Sequence, residues 1–95
     1  METVFYIILH LRTPWGLENY ARFWLGNDRD FAYSLFEQLE GSGDVTEYDM
    51  LYLELMETKA GLPVNLRIMS CSLDEMGENC RIITKESFKR FSLKA

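Results

Sequence analysis

Apolar and polar positions fall along this chain in two distinct periods. From Val4 to Arg12 the segment VFYIILHLR is dense in β-branched and aromatic residues and reads as a strand. Its alternation puts Phe5, Ile7, Leu9 and Leu11 on one face and Tyr6, Ile8, His10 and Arg12 on the other. Pro14 and Gly16 mark a turn. ENYARFWLG then alternates well enough for a second strand and a hairpin, with a short helix over Gly16–Leu25 as the alternative. After Gly26 the period changes. Asn27 and Asp28 stand where an N-cap belongs, and Asp30 suits the positive end of a helix dipole. Phe31, Ala32, Leu35, Phe36 and Leu39 recur at helical spacing, and Gly41 and Gly43 end the run.

The second half resembles the first. Tyr48–Glu57 predicts a third strand with Leu51, Leu53 and Leu55 on one face, and TKAGLP a turn. Val64–Cys71 predicts a fourth strand with Val64, Leu66 and Ile68 inward. Ser72 and Glu75 form a capping-box pattern that opens a short helix through Met76, weakened at Gly77. RII reads as a brief extended piece, and Thr84 as the cap of a last helix carrying Phe88 and Phe91 on one side. TPWGL and TKAGL match at Thr, Gly and Leu at an offset of 45 residues, and Arg22 and Arg67 align at the same offset. The expected fold is α+β in the order ββαββαα: one four-stranded antiparallel sheet with helices on one face, hinting at a repeated ββα unit. The 95 residues suffice for one domain over 1–95.

Charge changes this picture in one respect. The net charge of −5 disfavours non-specific attachment to nucleic acid or anionic membrane. Its distribution is uneven: Asp28–Glu57 holds nine acids and one base, Arg81–Ala95 five bases and one acid. The basic end reads as a solvated helix, with a small partner-binding patch as the sharper alternative. Met1–Thr3 carries no positive charge and the apolar run Val4–Leu9 is short, so neither a secretory leader nor a membrane span is expected, and a cytoplasmic location is.

Candidate chemistry is sparse. Cys71 and Cys80, the only cysteines, lie nine residues apart in CSLDEMGENC. They have neither the paired spacing of a zinc site nor the C-x-x-C of a redox pair, and two core thiols are expected. A thiol activated at the helix start, or His10 as a base, is the enzyme alternative. The chain contains no P-loop, G-x-G-x-x-G, H-E-x-x-H or G-x-S-x-G motif. No cofactor or metal is expected.

Alternation exposes one more feature. The face opposite the expected core would carry Tyr6, His10, Arg12, Tyr20, Arg22, Trp24, Tyr52, Arg67 and Met69 along with Ile8, Glu54 and Asn65. Tyr, Trp, Arg and Met are the types enriched where proteins meet. The expectation is a non-enzymatic interaction domain that uses this face to form a homodimer or to hold a protein partner. Folding back of the C-terminal segment over the face, or stacking of single-stranded nucleic acid on it, are the competing covers.

Overall fold

The computed structural model describes residues 3–46 and 48–92; Glu47 and Lys94, both counted in the charge asymmetry, lie outside them. The order is β1 (Val4–Thr13), β2 (Gly16–Gly26), α1 (Arg29–Glu37), β3 (Leu51–Lys59), β4 (Leu62–Cys71) and α2 (Leu73–Ser92). The four strands form one antiparallel sheet in the order β2-β1-β3-β4. The fold is α+β, and Gly16–Leu25 is strand rather than helix.

Both helices pack on one face. Phe5 and Ile7 of β1, Leu25 of β2 and Leu53 and Leu55 of β3 close a core with Ala32, Leu35, Phe36 and Leu39 from α1 and its end, and with Met76 and Ile83 from α2. Each of these larger side chains contributes about 1.5–3 kcal/mol by leaving water. α1 starts as its sequence dictates, with the Asp28 carboxylate accepting from the Phe31 amide at 3.2 Å. The capping box of α2 forms in both directions: Ser72 N–H donates to Glu75 Oε1 at 2.8 Å, and Glu75 N–H to Ser72 Oγ at 3.1 Å.

The two hairpin turns occupy the positions of the sequence echo. Thr13 pairs with Gly16 across Pro14-Trp15, and Lys59 with Leu62 across Ala60-Gly61. Gly16 (φ 125°) and Gly61 (φ 81°), 45 residues apart, both need glycine's left-handed range. Ala60 (φ 54°) shares that strain without being glycine, as the first central residue of a turn whose twist suits a hairpin.

Three expectations need correction. The last two helices are one: α2 runs unbroken over the extended piece expected at RII and the cap expected at Thr84. A Cβ at Gly77 would meet no neighbour within 4 Å, so the glycine's cost is only conformational, about 1 kcal/mol, and the packing of Met76 and Ile83 outweighs it. Second, β4 carries a bulge that leaves Leu66 unpaired between Asn65↔Met56 and Arg67↔Leu55. One extra residue inverts the alternation. Arg67 and Met69 therefore turn to the helix face, and Ile68, expected in the core, turns outward. Arg67 sits over the Tyr33 ring of α1, 5.2 Å from its centroid. Third, Phe88 and Phe91, expected to pack inside, are 63% and 52% exposed. The competing cover, the C-terminal segment, does not lie over the outer face within the described residues, since α2 packs Met76 and Ile83 into the core on the helix face.

The connection from α1 to β3 rounds the β4 edge. Ser42 forms an antiparallel bridge with Ser70, and the chain then passes onto the outer face. Asn79 of α2, fully buried, pins the start of this connection. Its Oδ1 accepts from the Glu40 amide at 2.7 Å, and its Nδ2 donates to the Glu40 carbonyl at 2.7 Å. Beyond the strand ends, the edges are blunted against further pairing by two bulges in β2 and by Pro63 and a bulge in β4.

Candidate functional site

The outer face divides into two zones because successive same-face residues of β1 meet different company. Tyr6 and Ile8 lie beside Trp24 and Arg22 of β2 and Met56 and Glu54 of β3. His10 and Arg12 lie beside Asn19 and Leu17 of β2 and, for His10, beside Tyr52.

The first zone is aromatic. Tyr6, Ile8 and Met56 form a small buried cluster although no helix covers them. Their cover is the side chains alongside. The Trp24 ring lies 4.7 Å from that of Tyr6, tilted by 42°, and the Arg22 guanidinium sits 5.7 Å above the Tyr6 ring. Trp24 remains 55% exposed. From it the apolar surface continues around the β2 edge. Phe23, Trp24, Ile83, Phe88 and Phe91 line one groove of about 380 Å³. Phe91 also stands edge-on to Phe31 at 6.3 Å. Tyr20, in the bulge between the Leu9↔Ala21 and His10↔Asn19 pairs, is exposed.

The second zone is polar. His10 is 8% exposed and donates from Nε2 to Glu54 Oε1 at 2.7 Å; the carboxylate only accepts, so the ring hydrogen lies on Nε2. Glu54 Oε2 accepts from Asn65 Nδ2 at 2.6 Å. The buried Nδ1 of His10 has no protein partner among the described residues. Beside this chain, Arg12 donates from Nε to the Asp49 carbonyl at 3.1 Å and from Nη2 to Tyr52 Oη at 2.7 Å. Tyr52 Oη donates in turn to the Thr46 carbonyl at 2.6 Å. The α1–β3 connection is thereby tied down over this end, and a cavity of about 330 Å³ opens beneath it, lined by His10, Arg12, Tyr52, Glu54, Leu17, Val45, Thr46 and Ile68.

Of the nine residues singled out from sequence, Tyr6, Arg22 and Trp24 come together in the first zone with Tyr20 at its border, and His10, Arg12 and Tyr52 in the second. Arg67 and Met69 are on the opposite side of the sheet. Sequence reasoning missed Phe88 and Phe91 as surface residues and Glu54 as the partner of His10. The signal for Glu54 was its place on the same face of β3, diagonal to His10 once the register is known.

The thiols sit elsewhere. Cys71 pairs with Leu51 on the helix face, donates weakly to the Glu40 carbonyl and accepts from Asn79 Nδ2 at 3.3 Å. Burial pushes its thiol up to about 11, and burial raises Cys80 as well. His10 is across the sheet from Cys71, so the two do not form a nucleophile–base pair. Both cysteines are free. Among the described residues no group of three or more His, Cys, Asp or Glu is placed to hold a metal ion, and no helix is long and apolar enough to cross a membrane.

Comparison of the chain with protein-family models, with curated proteins and with solved structures finds no match.

Proposed function

We propose that the protein is a small non-enzymatic interaction domain that binds a second copy of itself through the aromatic zone of the sheet and the adjoining end of α2. The observation that carries this reading is the continuous exposed patch of Trp24, Phe88 and Phe91 around the β2 edge. Three large aromatics so exposed in so small a chain mark a surface that gains by being covered. Trp24 rests on Tyr6 and Phe91 on Phe31, so these rings are held in place before any partner arrives, and little side-chain freedom is lost on docking.

A stable interface takes about 800 Å² from each partner, about 13% of the 6147 Å² surface of this chain. Four strands about 4.8 Å apart and about ten residues long present on the order of 600 Å²; the aromatic zone is about half of that face, and the β2 edge and the end of α2 supply the remainder. Symmetric pairing is the commonest arrangement for such a patch. Docking on another protein is the runner-up and uses the same residues.

The other readings draw less support. A single-stranded nucleic acid on the sheet would lose Arg67 to the helix face and find Arg12 beneath the α1–β3 connection. A thiol-dependent reaction would have to start from a cysteine whose thiolate is disfavoured.

The test is the molar mass in solution as a function of protein concentration, with Trp24→Glu and Phe88→Glu beside the parent. Leu73→Glu is the control. It removes another exposed apolar side chain, from the separate groove formed with Tyr48 and Met50. Association lost in the first two and kept in the third supports the reading.

A further inference from the structure

We propose that the cavity under the α1–β3 connection binds a small organic acid that carries a hydroxyl beside its carboxylate and an apolar tail. This site is separate from the aromatic zone and does not depend on the proposed self-association.

Three observations carry it. The first is His10. It lines the cavity, is 8% exposed, and leaves Nδ1 without a protein partner among the described residues. The Nε2–Glu54 bond fixes the ring, and in the neutral imidazole it leaves a lone pair on Nδ1, an acceptor that calls for an O–H or N–H donor. A buried polar atom left unpaired costs free energy that a ligand's donor would recover. The second is Arg12. Its guanidinium has five N–H groups, of which the protein engages one at Nε and one at Nη2. No described carboxylate pairs with it, so its charge is available to an anion, and guanidinium geometry suits a carboxylate. Glu54, the one acid among the described residues of the cavity wall, already divides its two oxygens between His10 and Asn65. The third is the remaining wall. Leu17, paired with Arg12, Ile68, paired with Glu54, and Val45 add apolar surface to the wall. Strand alternation sets His10 and Arg12 on one face about 6.6 Å apart, a spacing that one small molecule bridges with its hydroxyl on Nδ1 and its carboxylate at Arg12. The volume of about 330 Å³ is at the lower end of small-molecule sites.

The chain has a single histidine, so its imidazole nitrogens give unambiguous signals in a nitrogen-15 spectrum. The experiment titrates labelled protein with sodium mandelate at constant ionic strength and follows His10 Nδ1. The expected result is a saturable shift with a dissociation constant on the order of 1 mM. Phenylacetate, which lacks the hydroxyl, should bind about tenfold more weakly, the usual effect of one lost hydrogen bond. Ile68→Trp, a substitution at a 41% exposed position with no hydrogen bond to lose, should fill the cavity and abolish the shift while the amide spectrum elsewhere stays that of the parent. Absence of a saturable shift, equal binding of phenylacetate, or an unchanged titration in Ile68→Trp would each overturn the proposal.

Discussion

The Trp24 ring leans on that of Tyr6 with centroids 4.7 Å apart, so that an exposed side chain on an edge strand serves as the lid of a buried one. This contact explains how Tyr6, Ile8 and Met56 are buried on a face without helices. It also makes Trp24 both a structural lid and the centre of the proposed interface. Trp24→Phe should therefore keep the fold and weaken association only partly, whereas Trp24→Ala should uncover Tyr6 and cost on the order of 1–2 kcal/mol in denaturant unfolding.

Asn79 is fully buried and satisfies both backbone groups of Glu40. Asn79→Ala strands that amide and that carbonyl beside α2. The expected loss is about 2–3 kcal/mol in urea unfolding. Asn79→Asp should be destabilised too, because a carboxylate keeps the bond from the Glu40 amide and faces its carbonyl with no donor.

Ala60 holds a left-handed conformation that its Cβ disfavours. Glycine or asparagine at this position suits the turn better. Ala60→Gly should raise stability by about 0.5–1 kcal/mol, seen as a higher denaturant midpoint with an unchanged slope. A lower midpoint would contradict the turn geometry.

Cys71 is held as a thiol by burial, with its pKa pushed up to about 11. Only the thiolate reacts with iodoacetamide, so at pH 8 alkylation of folded Cys71 should be slower than that of a free thiol by about two orders of magnitude. Rates equal to the free thiol would restore the thiol-based alternative.

Asp28 has a lowered pKa, chiefly because its carboxylate accepts from the Phe31 amide, with the Arg90 ion pair adding to the effect. A depressed native pKa gives stability that is present above the unfolded value and lost as pH falls through the native one. Asp28→Asn keeps a capping acceptor and removes the charge, so it should be less stable than the parent at neutral pH. The difference should fade as pH drops below 3.8, the ordinary value of an aspartate. Thermal unfolding of both proteins between neutral and acidic pH reads this directly.

Local signals carried much of the fold. Asp28, the stripe through Leu39 and the Ser72–Glu75 box act within one or two turns of chain, and each forms as its residues dictate. Alternation also placed β1 and β3 correctly, since neither strand contains an extra residue. β4 was misread beyond Leu66 because a bulge is decided by what the partner strand offers, and nothing local distinguishes Leu66 from its neighbours. Phe88 and Phe91 were misread because helical spacing marks one side of α2 without saying what that side meets: Phe91 lies near Gly26 and Phe31, Phe88 lines the edge groove with Trp24, and both keep more than half of their surface exposed. The His10–Glu54 pair joins positions 44 residues apart and depends wholly on strand register.

The account rests on self-association through Trp24 and the end of α2, and light scattering on the eluting protein tests it most directly. The account predicts a mass approaching twice 11.2 kDa as concentration rises, and a return to the single-chain mass in both Trp24→Glu and Phe88→Glu but not in Leu73→Glu. A parent protein that keeps the single-chain mass at every concentration, or a dimer that survives both substitutions, would contradict it.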